Sequence, residues 1–184
     1  MFLPVDHHFH RVHSDNVQLS SNFRVVTRKS NSDNGFCALE DYLYYDAQFS
    51  CDPKVINRFS FLVTRTDARW SGSLGIGVSS NKPSGAQMSP TAINKQWLFA
   101  QMPQLELNVG TLVTTWINPE TRALYYVTSN LNWAATHNSG PACVLLNDPE
   151  ILDCLDAKRP LWFYMNISGF IVQVKIFGAA LSLP

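Results

Sequence analysis

The sequence is poor in charge and has no excess of either sign. Its 184 residues include 14 lysines and arginines and 14 aspartates and glutamates, so that only 15% of the chain is charged. Ordinary soluble domains are about one quarter charged. Nucleic-acid-binding proteins usually present a basic face, and a net charge of zero argues against one. We therefore expect no nucleic-acid partner, and a 46% hydrophobic content argues against long disordered tracts.

Long hydrophobic runs are also missing from the sequence. No apolar stretch approaches the ~20 residues of a membrane span. The residues after Met1 show neither a basic start nor an apolar run of signal-peptide length. The sequon Asn166-Ile167-Ser168 lies between apolar runs, where a glycan would not fit a buried strand. We therefore expect an intracellular, cytoplasmic chain without a strong membrane interaction.

Cysteine is scarce and is not arranged for metal binding. The four cysteines are Cys37, Cys51, Cys143 and Cys154. None forms a C-x-x-C pair, so the spacing supports neither a structural zinc site nor a redox motif. We expect small thiols that pack among apolar residues.

Histidines cluster near the amino end, but no complete catalytic constellation is present. The cluster comprises His7, His8, His10 and His13. His8 and His10 would share one face of an extended strand, which makes a zinc site conceivable. No G-x-S-x-G nucleophile elbow occurs. We therefore expect no enzyme, no catalytic residue, no metal and no cofactor, and zinc in the purified protein would favour the competing reading of a metalloenzyme.

Alternating polarity dominates the chain and predicts strands. Between Phe170 and Ile176 the apolar residues fall at every second position, which is typical of a half-buried strand. Further candidates are Phe23–Arg28, Phe36–Leu39, Phe59–Thr64, Ser73–Val78, Gln96–Gln101, Thr111–Ile117, Leu124–Thr128, Ala142–Leu146 and Leu161–Met165. Asn118-Pro119-Glu120-Thr121 predicts a hairpin loop between two of them. This pattern predicts an all-β, antiparallel β-sandwich.

Helix signals are confined to one short segment. Asp148 can cap a helix that starts with Pro149, which predicts about two turns near residues 149–156. No linker, repeat or low-complexity tract divides the chain. We expect a single domain over residues 1–184, with its core at about 9–177.

Four groups of motifs recur in an order that is familiar from one family. They are Phe9-His10 with Asp15-Asn16-Val17-Gln18-Leu19; Thr27-Arg28 with Asn34-Gly35-Phe36-Cys37-Ala38; Trp70-Ser71-Gly72-Ser73-Leu74-Gly75-Ile76-Gly77-Val78, followed by Pro83 and Trp97; and Pro160-Leu161-Trp162-Phe163-Tyr164-Met165-Asn166-Ile167-Ser168-Gly169. Together they resemble the Neuralized homology repeat (NHR). The resemblance implies a β-sandwich of SPRY-like or concanavalin-like architecture.

The chain departs from this family in places that concern the ligand more than the fold. Asn166 stands where the family usually has aspartate, and Leu131–Lys158 is longer than in the usual member. Many members carry a RING finger or a SOCS box, which recruit ubiquitin machinery. No RING-type Cys/His spacing occurs in this sequence, so ligase activity is not expected of it.

The resemblance and the aromatic residues on polar stretches together predict a protein-interaction module. We expect it to bind a short peptide segment of a partner, as an adaptor or substrate-recruiting domain in ubiquitin-linked signalling. The candidate contacts are Arg28, Tyr44, Trp70, Tyr126, Asn130 and Trp133. If Arg28 contacts the partner, its replacement by alanine should weaken capture and leave thermal stability nearly unchanged. The sequence does not predict an oligomeric state.

A lectin-like sandwich is the alternative function. Sugar sites pair an exposed aromatic ring with amide donors, and the stretch Asn130-Leu131-Asn132-Trp133 could supply both. A glycan array separates this alternative from peptide binding.

Overall fold

The chain folds into two antiparallel sheets that face each other across a shared core. The computed structural model describes residues 7–30, 34–42, 56–67, 74–84, 98–101, 107–131, 142–169 and 171–177. The strands are β1 (Val17–Leu19), β2 (Val25–Arg28), β3 (Gly35–Tyr42), β4 (Ile56–Thr66), β5 (Leu74–Ser79), β6 (Leu98–Gln101), β7 (Thr111–Asn118), β8 (Ala123–Asn130), β9 (Ala142–Leu145), β10 (Trp162–Ile167) and β11 (Ile171–Phe177), and the helix is α1 (Pro149–Asp156).

The strand order interleaves distant parts of the chain. The seven-stranded sheet runs β1-β2-β11-β4-β7-β8-β9, and the four-stranded sheet runs β3-β10-β5-β6. Every neighbouring pair is antiparallel. The strand order places strands from both halves of the sequence side by side. The predicted all-β, antiparallel sandwich with one short helix is confirmed.

The core forms because alternate residues of facing strands are apolar. Residues that share this position include Phe59, Phe61 and Val63 of β4, Val113 and Ile117 of β7, Leu74, Ile76 and Val78 of β5, and Phe163, Met165 and Ile167 of β10. Phe59 of the larger sheet meets Phe163 of the smaller one edge to face, with 4.8 Å between ring centroids. Such a contact ties the two sheets together at the centre of the sandwich.

Helix α1 closes one end of the sandwich. The side chain of Asp148 accepts hydrogen bonds from the backbone N–H groups of Glu150 and Ile151, which satisfies donors that the first turn leaves open. Three residues on one helix face, Ile151, Cys154 and Leu155, are buried in the core. The predicted cap, the proline at the first turn and the length of the helix are all observed.

The outer edges of the two sheets differ in how they are covered. The segment before β1 runs along β3, where the His10 N–H donates to the Ala38 carbonyl and the Glu40 N–H donates to the His8 carbonyl. At the far end of the larger sheet, β9 pairs with β8 alone among the strands of the described ranges. This difference matters for the site described below.

Three local features differ from the sequence-based expectation. Strand β1 carries no alternation long enough to detect and was not predicted. Phe23, predicted as a strand residue, has a φ of 54° and forms the turn that precedes β2. Ser129 and Asn130 continue strand β8 and pair with β7, two residues beyond the predicted end of this strand at Thr128.

Candidate functional site

One row of side chains crosses the outer face of the seven-stranded sheet. Arg58 of β4 is paired with Trp116 of β7, Trp116 with Tyr125 of β8, and Tyr125 with Cys143 of β9. Directly paired residues of antiparallel strands share one face of the sheet. Their neighbours Ile117 and Leu124 point into the core, so the row points away from it.

The first three members of this row form a stack. The Arg58 guanidinium carbon lies 5.0 Å from the centroid of the Trp116 ring. The Trp116 and Tyr125 rings are nearly parallel, with an interplanar angle of 8° and centroids 5.6 Å apart. The stack therefore has a cation at one end and a phenol ring at the other. We call these three residues the outer stack.

The hairpin between β7 and β8 fixes the register on which the outer stack depends. The side-chain oxygen of Asn118 accepts hydrogen bonds from the backbone N–H groups of Glu120 and Thr121, and Arg122 closes the turn with a φ of 50°. The Tyr125 hydroxyl donates to Thr121 Oγ1 over 3.1 Å, which anchors the free edge of the ring. A slip of one residue would turn Trp116 into the core and Ile117 outward.

Strand β9, at the end of the row, has the features of an open edge. Its sequence, Ala142 to Leu145, contains no charged residue and no proline, the devices that usually protect an edge strand. Leu145 exposes 67% of its surface and Cys143 is also exposed. Ala142 and Val144 pack against the core on the opposite face. A strand of this kind can accept hydrogen bonds from a further strand.

Arg28, the first of the predicted contacts, is turned inward. Only 3% of its surface is exposed. Its guanidinium donates to the carbonyl of Gly169 in the β10–β11 turn, and the carboxylate of Asp67 acts on it electrostatically. Burial lowers the pKa of Arg28 from its ordinary value, although an arginine stays protonated under all such conditions. The side chain ties β2 to the end of the smaller sheet.

The other predicted contacts fall into two groups. Tyr126 is 5% exposed and belongs to the core, where burial raises the pKa of its phenol. Asn130 is half-buried at the end of β8, opposite Thr111. Tyr44, Trp70 and Trp133 lie outside the described residues. Partner contact by Arg28 or Tyr126 requires their neighbours to move, and the binding role of all six residues stays a prediction.

The sequence contains a signal for the outer stack. The alternation of Val113 and Ile117 already turns Trp116 outward, and Leu124 does the same for Tyr125. Pairing through the short loop at Asn118 then brings the two rings together. The prediction chose Tyr126 from the Tyr125-Tyr126 pair, and the alternation places Tyr125 on the surface.

The described residues show no arrangement typical of catalysis. Burial raises the pKa of the thiols of Cys37 and Cys154, which is the opposite of what activates a cysteine nucleophile. Within the ranges that the structure describes, no group of three His, Cys, Asp or Glu residues is placed to hold a metal ion. No helix in those ranges is long and apolar enough to cross a bilayer.

Comparisons with known proteins agree with the motifs. The sequence matches the family model described as Neuralized over residues 9–178. The solution structure of the NEUZ (NHR) domain in Neuralized from Drosophila melanogaster is 16% identical, with a TM-score of 0.68 over 96% of this chain and 92% of that one. The crystal structure of the Drosophila melanogaster neuralized-nhr1 domain is 15% identical, with a TM-score of 0.63 over 95% and 98%. No curated protein matches.

Proposed function

The chain belongs to the Neuralized family, and from this premise we propose that it binds a short segment of a partner protein and recruits that partner in ubiquitin-linked signalling. The NHR domain that defines the family is a protein-interaction domain and a binding module. The proposal adds the form of the ligand, an extended peptide, and the process that it serves.

The outer stack is the observation that carries peptide binding. Tryptophan, tyrosine and arginine are the residue types that dominate binding energy at protein interfaces. Here one of each stands on neighbouring strands, half-buried and held by its neighbours, so little side-chain freedom is lost on binding. An extended peptide gains further affinity from backbone hydrogen bonds.

Two of the predicted contacts, Asn130 and Trp133, come after Tyr125 in the sequence. Asn130 is the last residue of β8, the strand that carries Tyr125, and Trp133 follows three residues later in the sequence. We propose that a bound segment contacts the outer stack and this group, whereas Arg28 and Tyr126 contribute by holding the frame.

The test is selection of peptides from a displayed library of short random segments on the immobilised chain. We expect the wild type to enrich a set of peptides, and Trp116→Ala to weaken the best of them by about tenfold or more, the size of an aromatic hot spot. The matched control is Phe177→Ala, because Phe177 is also an exposed ring on this sheet but lies outside the stack. Circular dichroism verifies that both variants fold.

Two outcomes contradict peptide binding. Absence of any enriched peptide would do so, as would equal loss in Trp116→Ala and Phe177→Ala, which would indicate nonspecific adhesion to exposed rings. Specific retention of a sugar on a glycan array would support the lectin-like alternative.

The ubiquitin-linked step has a separate test. A selected peptide is fused to a reporter protein, and ubiquitination of the reporter is measured in cells that express the chain. We expect wild type to increase ubiquitination and Trp116→Ala to leave it at background. Peptide binding without any such increase would limit the function to binding.

A further inference from the structure

Among the residues that the structure describes, the outer stack is covered at one end and open at the other. Arg58 covers one face of Trp116, and Tyr125 covers the other. Across the described ranges, the second face of the Tyr125 ring has neither a ring nor a cation over it. The next position in the row is Cys143, which is small and exposed. As far as the described ranges extend, the row therefore has a vacancy above Cys143, beside the edge of the sheet.

A strand added to β9 would bring a fourth side chain to this vacancy. Neighbouring strands lie about 4.8 Å apart, so a residue paired with Cys143 from outside would stand two strands away from Tyr125. Its side chain must cross one strand to reach the ring. Only a long side chain spans that gap, whereas a short one would end over Cys143.

Arginine has the chemistry that fits the open ring face. Its guanidinium is planar and weakly hydrated, and it stacks on aromatic faces. Arg58 already shows this mode of contact at the other end of the stack. A bound arginine would make the row symmetrical, with a guanidinium on each side of two parallel rings.

The parts of the chain next to β9 in the sequence and in the sheet carry an excess of acidic side chains. The described residues that flank β9 in sequence and in the sheet, 118–131 and 142–159, contain five acidic and three basic side chains. The overall chain is neutral, so this part is the more acidic one. A basic segment is favoured there over an acidic segment.

We propose that β9 is the docking edge for the peptide and that the peptide is an extended segment with an arginine, which pairs with Cys143 and stacks on Tyr125. The proposal rests on the proposed function and specifies the edge, the strand geometry and the side chain of the ligand. Backbone pairing with β9 supplies affinity, and the arginine supplies specificity.

The probe is the best peptide selected from the random library on the wild-type chain. We expect it to contain arginine at one position between β-branched or aromatic residues. Replacement of this arginine by citrulline, which keeps the shape and removes the charge, should weaken binding roughly fivefold, the size of one partly exposed cation–π contact. This measurement uses the unmodified protein, so it does not depend on the folding of a variant.

The matched protein variants are Cys143→Arg and Cys143→Ser. Cys143→Arg places a guanidinium over Tyr125 within the chain, so we expect it to weaken the arginine peptide by a similar factor and to abolish the difference from the citrulline peptide. Cys143→Ser keeps the vacancy and should retain the preference for the arginine peptide over the citrulline peptide. Amide exchange at residues 142–145 should slow when the peptide binds.

The outcomes separate this inference from the proposed function. If peptides bind and depend on Trp116, but citrulline binds as tightly as arginine or exchange in β9 is unchanged, the inference is wrong and the function stands. If the library yields no binding peptide, the function itself fails. Loss of the arginine preference in Cys143→Arg, with its retention in Cys143→Ser, would support the docking edge.

Discussion

Two arginines of this chain have opposite surroundings. Arg28 belongs to a motif of the family, is 3% exposed and donates to a backbone carbonyl inside the fold. Arg58 belongs to none of those motifs, is half-buried on the outer face of the larger sheet and lies over a tryptophan ring. The first guanidinium stabilises the fold from inside, whereas the second is part of a surface that another molecule can contact.

The comparison shows why a recurring motif is a weak guide to a binding residue. Removal of a buried guanidinium is costly because it leaves a carbonyl without its donor and a carboxylate without the positive charge near it. A stacked surface residue makes no buried hydrogen bond of this kind, so its residue type can differ between proteins that bind different ligands. For this chain, the motif residue supports the frame and the row without a motif offers the contact surface.

The largest effect that the comparison predicts is the loss of stability in Arg28→Met. Methionine keeps much of the volume but cannot donate to the Gly169 carbonyl or balance Asp67. We expect the free energy of unfolding to fall by about 1.5–3 kcal/mol, the range for a hydrogen bond to a charged group. Denaturant titration measures it.

The control for this variant is Arg28→Lys, which retains the charge and loses the planar fork, and which should fall between wild type and Arg28→Met. If Arg28→Met keeps its stability and loses peptide binding, Arg28 is a direct contact, as the sequence predicts. The assignment of Arg28 to the fold and of Arg58 to the contact surface would then be wrong.

Gly35 offers a second way to test how tightly the Arg28 region is packed. A Cβ at this position would lie 2.8 Å from Val17 Cγ2 and 3.5 Å from Arg28 Cγ. Valine is stiff at χ1 and cannot easily withdraw its methyl group. We expect Gly35→Ala to lower the free energy of unfolding by about 1–2 kcal/mol through overpacking.

Relief of this clash provides the check on Gly35. In the double variant with Val17→Ala, the added alanine should cost much less than it does in the wild-type background, and a double-mutant cycle measures the difference. Equal costs in the two backgrounds would show that Val17 is not the residue that resists.

The sequence was sufficient to predict the fold because its signal is local. Alternation in two stretches, and enrichment in β-branched and aromatic residues in eight others, predicted ten of the strands. Asp148 with Pro149 predicted the start of the helix. Strand β1 was missed because three residues hold too little alternation, and its place is decided by pairing with β2. The strand order could not be derived from local patterns, since β11 inserts between β2 and β4 from the far end of the chain.

The site was less predictable because its members are far apart in sequence. Arg58, Trp116 and Cys143 come from three separate strands, and only the sheet order brings them into one row. The alternation did contain the direction of each side chain, which would have favoured Tyr125 over Tyr126. The burial of Arg28 follows from tertiary contacts with Gly169 and Asp67, which no local pattern contains.

Arg58 itself should show a smaller effect than either buried position. Arg58→Gln removes the cation above Trp116 and keeps a polar side chain of similar reach. We expect stability to fall by about 0.5–1 kcal/mol, the value of an exposed cation–π contact. A change above 2 kcal/mol in denaturant titration would show that Arg58, too, is part of the frame, and Arg58→Lys separates loss of charge from loss of stacking.

His10 predicts the smallest effect, and its sign follows from burial. Burial lowers the pKa of His10 below its ordinary value, the nearby Glu40 carboxylate opposes this shift, and Lys82 adds to it. The ring nitrogen Nδ1 also accepts the N–H of Val12 over 3.0 Å, which needs a neutral ring. The unfolded chain therefore takes up a proton at higher pH than the folded chain. The contribution of His10 is complete above about pH 6.5 and is lost as the pH falls through the lowered pKa. The free energy of unfolding of wild type and of His10→Gln is measured between about pH 8 and pH 5, and it should decline less in the variant. Equal declines would show that His10, unlike Arg28, does not contribute to the stability of the fold.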